Sequence, residues 1–417
     1  MKQKSVPAGR IDEKGRLILP EEIVRRHGLK PGSTLPIIEN EHSLLLRRPV
    51  SHLAKVYIEP TSHCNLTCRT CIRNSWDEPM GSMAEATFER ILDGLRAFDP
   101  PLTVMFGGFG EPLFHPAIAS MVAGVKRVGA QVELITNGTL LTGDLSLALA
   151  EAGIDVLWVS LDGSTAESFS GVRPDAALNE VVENAMRFRS LSWKLNQGLP
   201  HMGIVFVAMR RNIAELPEVI KLGRKILADR FLITNVLPYT EELCGEVLYD
   251  SVLINVPRQP SSFLPQLILS KIDSTDITRE PLYRISREWQ GAQGNPMVAG
   301  NSGNYCPFIE KGSTAICWDG SVSPCLPLLH SHTSYLNERI RRSRRYVVGT
   351  INERGLNELW LQPEYVAFRE RVQSFPFSPC TFCGGCELSE TNEEDCTGNV
   401  FPTCGGCLWA QGVIQCP

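Results

Sequence analysis

The sequence predicts an α/β protein organised around a parallel sheet, and three observations carry that reading. From about residue 55 to 240, short apolar runs alternate with longer amphipathic stretches, the pattern of strands covered by helices. Glycine-rich and turn motifs recur just past the ends of those runs, where the loops of a parallel sheet form its open mouth. Fourteen cysteines are distributed unevenly: three lie between 64 and 71, one is Cys244, and ten follow residue 300, so a cysteine-rich unit follows the α/β region.

Taken in order, residues 1 to about 50 read as a small β-rich domain. Residues 9–12 and 16–19 flank a Glu13-Lys14-Gly15 turn, Pro20 opens a short helix through His27, and residues 35–38 and 43–46 form a second hairpin. Strands are expected at 56–58, 103–106, 131–136, 156–161, 202–209 and 231–237, with helices at 84–98, 117–128, 145–152 and 179–191 between them. Residues 246–300 read as a connecting insert, because Pro257, Pro260, Pro265 and Pro281 interrupt any long helix and 291–303 is rich in small residues. The cysteine-rich domain spans 301–417, leaving 51–245 for the α/β domain.

Composition narrows the function. With 43% hydrophobic and 21% charged residues, the 417-residue chain is ordinary for a soluble globular protein. A net charge of −5 gives no global attraction to nucleic acid or anionic lipid. No apolar run of membrane length and no charged-then-apolar leader is evident, so a cytoplasmic location without membrane association is expected. Reducing conditions disfavour disulfides, which leaves metal or cluster binding as the use for so many thiols.

Cys64, Cys68 and Cys71, spaced C-x-x-x-C-x-x-C after the first strand, can supply three thiolates to one face of a four-iron cubane. Three protein ligands leave one iron open for chemistry; a zinc site or structural thiols are the alternative for an isolated triplet. After the second strand comes Gly107-Gly108-Phe109-Gly110-Glu111-Pro112, whose glycines permit close backbone approach to a ligand. Asn137-Gly138 follows the third strand, Ser160-Leu161-Asp162-Gly163 the fourth, and Val236-Leu237-Pro238 ends the sixth.

In that order, these motifs resemble the radical S-adenosylmethionine (SAM) superfamily. The resemblance implies a partial (β/α)6 barrel and a [4Fe-4S] cluster on Cys64, Cys68 and Cys71 that reductively cleaves SAM to a 5′-deoxyadenosyl radical. It also implies SAM contacts from Gly107, Gly108, Phe109, Gly110, Glu111, Asn137, Ser160, Asp162 and Pro238. The family commonly has an aromatic residue just before the third cysteine, where this chain has Thr70.

The later cysteines begin at Cys306 and continue through Cys317-Trp318-Asp319-Gly320-Ser321-Val322-Ser323-Pro324-Cys325, which reads as a hairpin turning at Asp319-Gly320. Cys380, Cys383, Cys386, Cys396, Cys404, Cys407 and Cys416 follow. This resembles the SPASM extension of radical SAM enzymes and implies two auxiliary [4Fe-4S] clusters. By order, Cys306 and Cys325 with Cys396 or Cys317 are expected at one cluster, and Cys380, Cys383 and Cys416 at the other. Zinc ribbons are the alternative for paired C-x-x-C motifs.

Two further resemblances concern partners. Asp12-Glu13-Lys14-Gly15-Arg16-Leu17-Ile18-Leu19-Pro20 with Leu29-Lys30-Pro31-Gly32-Ser33 looks like the AbrB/SpoVT swapped-hairpin family, implying a homodimer through residues 1–50. Members of that family often bind DNA, and the local excess of Lys and Arg permits phosphate contacts, although a dimerisation or docking domain is the favoured reading. The segments 57–64, 326–332, 392–396 and 402–412 look like the tungsten-cofactor oxidoreductase radical SAM maturases. That resemblance implies modification of the cofactor or host protein of a tungstopterin aldehyde oxidoreductase, with an electron donor such as ferredoxin. Modification of a ribosomally made peptide and a non-enzymatic cluster-sensing DNA-binding regulator are the alternatives. His330, His332, Arg339, Arg341, Arg342, Arg344 and Arg345 read as a solvated helix face, with an anion site as the alternative, and Cys244 as a packed small residue, with a hydrogen-atom donor or an auxiliary-cluster ligand as the alternatives.

Overall fold

Asp12 closes the first turn of the chain. Its carboxylate accepts the backbone N–H groups of Lys14 (2.9 Å) and Arg16 (2.8 Å), folding β1 (Arg10–Ile11) onto β2 (Leu17–Ile18). Pro20 precedes α1 (Glu21–Arg26), and β3 (Ile37–Asn40) pairs antiparallel with β4 (Ser43–Leu46). The computed structural model describes residues 8–29, 32, 34–35, 37–40, 43–99, 101–195, 199–250, 266–293, 298–299, 304–336, 338–383 and 386–417.

The sheet that follows is apolar on both faces because both are covered. Its strands are β5 (Lys55–Ile58), β6 (Thr103–Phe106), β7 (Gln131–Thr136), β8 (Val156–Ser160), β9 (His201–Ala208) and β10 (Arg230–Asn235), all parallel and in sequential order. They match the expected strands to within two residues. Alternate side chains part to opposite sides. Val56, Ile58, Val104, Phe106, Leu157 and Val159 face the helices, whereas Tyr57, Met105, Trp158 and Val205 fill the concave inner side of a partial barrel. Gly203 stands opposite Trp158 in register, and a Cβ there would lie 2.1 Å from the indole ring.

Helices α2 (Glu85–Leu95), α3 (Ile118–Arg127), α4 (Gly143–Glu151), α5 (Ala166–Val172), α6 (Leu178–Leu195) and α7 (Leu216–Lys225) cover the outer face. In α2 the buried residues Phe88, Ile91, Leu92 and Leu95 recur at helical spacing, and in α3 Ile118, Met121, Val122 and Val125 do the same.

The expected insert is in part more sheet. Strand β11 (Gln266–Leu269) runs parallel to β10, α8 (Asp276–Gln293) packs on α7, and β12 (Val298–Ala299) runs parallel to β11. Pro281 sits inside α8 despite its missing donor. The stripe Thr278, Pro281 and Ile285 is buried, and this tertiary burial offsets a proline cost of about 3 kcal/mol. Pro257, Pro260 and Pro265 lie outside the described residues.

Past α9 (Pro307–Lys311), β13 (Ser313–Ile316) joins the barrel sheet in parallel beside β5, and β14 (Ser321–Ser323) turns back antiparallel, giving the expected Cys317-to-Cys325 hairpin. The cysteine-rich domain therefore covers the first barrel edge, which an exposed β5 would leave open. A separate hairpin joins β15 (His332–Leu336) to β16 (Arg339–Ser343), and β17 (Gly349–Thr350) extends the sheet beyond β14. Helices α10 (Leu356–Leu361), α11 (Pro363–Ser374) and α12 (Cys380–Cys383) precede a final segment that returns to the barrel. There Tyr57 Oη donates to the Pro417 carbonyl (2.9 Å), Asn235 Nδ2 to Val413 O (2.8 Å) and the Gln415 N–H to Thr234 Oγ1 (2.9 Å).

His52, just before β5, is held neutral. Burial lowers its pKa to about 4, helped by the neighbouring positive charges of Arg48 and His27. Its folded value lies below the unfolded one, so its contribution is complete above pH 6.5. Between pH 6.5 and about 4 the unfolded chain takes up the proton first, and stability falls. Urea denaturation of wild type and His52→Asn across that window is expected to show wild type losing stability relative to the variant.

Candidate active site

The loop after β5 carries the three leading cysteines, and each sulfur meets an N–H donor. Cys64 Sγ accepts from the Leu66 backbone (3.4 Å) and Asn137 Nδ2 (3.8 Å), Cys68 Sγ from Arg173 (3.9 Å), and Cys71 Sγ from Arg73 (3.4 Å). Burial pushes the Cys68 thiol up to about 11, against the pull of Arg173. Donors aimed at every sulfur suit thiolates bound to iron, whose electron density such hydrogen bonds stabilise. The loop has its own braces: Asn74 Nδ2 donates to Cys68 O (3.0 Å) and Arg69 O (3.1 Å), and the Thr67 N–H to Asp175 (2.8 Å).

The glycine-rich segment after β6 lies directly against this loop. A Cβ on Gly110 would come 2.0 Å from Thr61 O, and one on Gly108, whose φ is +148°, 2.7 Å from Glu59. These glycines therefore satisfy protein packing as well as any ligand. Glu111 is buried, accepting from Leu113 N (3.0 Å), Thr136 Oγ1 (2.7 Å) and Asn137 N (2.7 Å). It ties the end of β6 to the end of β7, and with its oxygens so engaged it acts as a positioning group.

Asp162 is likewise engaged. It is fully buried, with Oδ1 accepting from Val207 N (2.9 Å) and Oδ2 from Arg173 Nε (2.9 Å) and Nη2 (2.7 Å), so it aims Arg173 at Cys68. Ser160 ends β8 on the same face as Trp158. The Trp158 indole N–H is buried without a hydrogen-bond partner among the described residues, an unused donor inside the barrel that suits a polar ligand. Pro238 accepts the Tyr335 N–H from β15 (2.8 Å), and Phe109 packs edge-on to Trp76. Neither Arg73 nor Arg173 belongs to a motif that the sequence singles out. Arg73, two residues past the third cysteine, was open to notice, whereas only the fold brings Arg173 to Cys68.

The later cysteines form two groups that differ from chain order. Cys306, Cys325, Cys404 and Cys407 line one cavity, and the Cys325 thiol is raised by burial and then by the other three. Cys380 has Cys386 and Cys396 as electrostatic neighbours, a second group in which burial raises the Cys380 thiol, Arg341 opposes the rise, and Asp395, Cys386 and Cys396 add to it. The Cys383 side chain lies outside the described residues. Cys396 thus stands with Cys380 rather than Cys306, because the returning chain delivers Cys404 and Cys407 to the first group instead. Cys416 accepts from Trp409 Nε1 (3.2 Å) and has Cys407 as its neighbouring thiol. Cys317 faces Glu59 and His330, not the first group. The first four thiols match a closed cluster by number and burial.

Between the groups lies Arg341, buried and donating to Gly406 O (2.6 Å), with Cys407, Cys380 and Cys404 as its electrostatic neighbours. The arginine-rich segment is therefore strand β16 and its flank, not a helix face. Arg339 pairs with Glu390 (2.6 Å) and Arg344 with Glu393 (3.0 Å). Cys244 is half-buried in the short helical turn Glu241–Glu246.

At the end of β5, His330 is clamped between two carboxylates, Nε2 to Glu59 Oε2 (2.7 Å) and Nδ1 to Glu78 Oε2 (2.7 Å). Burial opposes its charge, yet the two carboxylates prevail and hold its pKa up at about 9.

Comparison with known proteins agrees with this arrangement. The radical SAM superfamily model matches residues 58–222, and the SPASM iron-sulfur cluster-binding domain matches residues 306–387. The tungsten-containing aldehyde ferredoxin oxidoreductase cofactor-modifying protein of Pyrococcus furiosus is 30% identical over 87% of this chain and 96% of its own. The AdoMet-dependent heme synthase of Methanosarcina barkeri is 27% identical over 73% of this chain and 81% of its own. Streptococcus suis SuiB bound to precursor peptide SuiA superposes with a TM-score of 0.52 at 14% identity, covering 86% of this chain and 71% of that one, a likeness of fold. Among the described residues no helix is long and apolar enough to cross a membrane. With the thiol loop at the mouth of a parallel partial barrel and a second cysteine-rich domain on its edge, the chain belongs to the radical SAM superfamily as a SPASM-bearing enzyme, in one family with the Pyrococcus cofactor-modifying protein.

Proposed function

We propose that this enzyme modifies the cofactor, or the cofactor's host protein, of a tungsten-containing aldehyde oxidoreductase, using SAM at a [4Fe-4S] cluster held by Cys64, Cys68 and Cys71. The observation that carries the reading is the 30% identity to a protein named for that task along 96% of its length. When bound, the cluster supplies the one-electron reductive cleavage of the SAM sulfonium, with a donor such as ferredoxin as electron source. The chain's own residues do the rest. Arg73, Arg173 and Asn137 stabilise negative charge on the three sulfurs, and Glu111 and Asp162 fix the loops that carry them. Ser160, Phe109 and the backbone of Gly107, Gly108 and Gly110 stand at the mouth as SAM contacts, with Pro238 at the sixth strand end. The C-terminal segment and the inner-face aromatics exclude water from the space where a substrate hydrogen is abstracted. Cys306, Cys325, Cys404 and Cys407 would hold one auxiliary cluster, and Cys380, Cys383, Cys386 and Cys396 the other.

Two arms test the substrate. Anaerobic incubation with SAM and dithionite is expected to change the mass of the cofactor or polypeptide of a purified tungsten oxidoreductase. A mass change confined to a small peptide substrate would transfer the enzyme to the peptide-modifying alternative. We also propose a dimer through the N-terminal hairpins. Ile11 (67% exposed), Ile37 (61%) and Leu44 (70%) present apolar area that a second copy would cover.

A further inference from the structure

Among the described residues, one cluster outside the thiol loop and the two cysteine groups has the composition of a metal centre. Cys317 Sγ, at the end of β13, lies 3.5 Å from Glu59 Oε2 and 3.9 Å from His330 Nε2, and those two atoms are 2.7 Å apart. All three residues are buried. The geometry points to a mononuclear divalent transition-metal site, zinc by its mixed sulfur, nitrogen and oxygen donors, with Cys317, His330 and Glu59 as ligands and Glu78 orienting the histidine.

Tetrahedral zinc with ordinary bond lengths places sulfur about 3.5 Å from nitrogen or oxygen, and nitrogen about 3.3 Å from oxygen. Two edges of the observed triangle already match to within a few tenths of an ångström. The short one is a hydrogen bond, and it lengthens when the metal replaces the shared proton. Two of the three ligands are fixed from behind. Phe109 N–H holds Glu59 Oε1 (2.9 Å) and leaves Oε2 to ligate, while Glu78 Oε2 holds His330 Nδ1 (2.7 Å) and leaves Nε2. A carboxylate on the far nitrogen is the usual support of a metal-bound histidine. Trp76 closes one side, its ring 4.2 Å from that of His330.

Charge balances as well. Binding displaces the Cys317 thiol proton and the proton shared by His330 and Glu59, so two anionic donors neutralise the dication. Glu78 is then countered by Arg345 at 3.7 Å. Three protein ligands leave a fourth position open, and the metal would bind the end of β5, the end of β13 and the segment before β15 into one unit.

The test uses the full chain with its clusters reconstituted, dialysed against zinc chloride alone, with zinc, iron and sulfide measured together. One zinc per chain beyond the clusters is expected, with zinc-edge X-ray absorption showing one sulfur among nitrogen and oxygen neighbours. Cys317→Ser and His330→Gln are expected to lose the zinc at unchanged iron and sulfide, and Glu78→Gln to weaken binding about 10- to 100-fold. Wild type without stoichiometric zinc, or zinc surrounded by four sulfurs, overturns the assignment whether or not the variants fold. Loss of one cluster's iron and sulfide in Cys317→Ser also overturns it, by returning Cys317 to a cluster. None of these outcomes depends on which substrate the enzyme modifies.

Discussion

Replacing Cys64, Cys68 and Cys71 together with alanine is expected to abolish 5′-deoxyadenosine formation from SAM while about two thirds of the iron stays bound. The separation follows from where the thiols sit. The three belong to a single loop after β5, whereas the remaining cysteine groups are assembled from α9, β14, α12 and the C-terminal segment. The loop does not rely on sulfur for its shape, since Asn74 braces two of its carbonyls and Asp175 holds the Thr67 N–H. Iron and sulfide analysis with chromatography of the nucleoside products reads both quantities in one preparation. Residual SAM cleavage by the triple variant would show that another group of thiols performs it. Loss of all iron would show that the auxiliary cysteines cannot assemble independently.

What the sequence disclosed, and what it withheld, follows from the range over which each signal acts. The barrel strands were legible because both faces of each are apolar, so a short run such as Val104, Met105 and Phe106 stands out without knowledge of its neighbours. The thiol loop was legible because its ligands are close in sequence. The pairing of Cys306 and Cys325 with Cys404 and Cys407 was not, since it depends on a chain return that chain order cannot report. Arg173 reaches Cys68 only through the buried partnership with Asp162, and an S-x-D-G turn gives no hint of that partner. Local rules make Pro281 a helix breaker, and burial of its helix face overrides them. The same limit explains His330, whose role emerges only when Glu59 and Glu78 converge on it from the other side of the sheet edge.

Arg173→Met is expected to destabilise the folded enzyme by about 3–5 kcal/mol, because it leaves the Asp162 carboxylate buried without its counter-charge. Asp162 has no exposed surface, and with the guanidinium gone its Oδ2 loses both donors while Oδ1 keeps the Val207 N–H. Lysine restores charge but not the paired donors, so Arg173→Lys should recover part of the loss. The decisive comparison is the double variant Asp162→Asn/Arg173→Met. Removing both charges also removes the uncompensated anion, so the double variant should be more stable than Arg173→Met alone, as denaturant midpoints of anaerobic protein will read. The same substitution takes a cation from beside Cys68, so the SAM-site cluster of Arg173→Met is expected to have a lower reduction potential in an electron paramagnetic resonance titration. A stable Arg173→Met protein with a lowered potential would confine the arginine to tuning the cluster, and an unstable one with an unshifted potential would confine it to holding Asp162. The geometry, with one guanidinium between a buried carboxylate and a cluster thiol, requires both effects together.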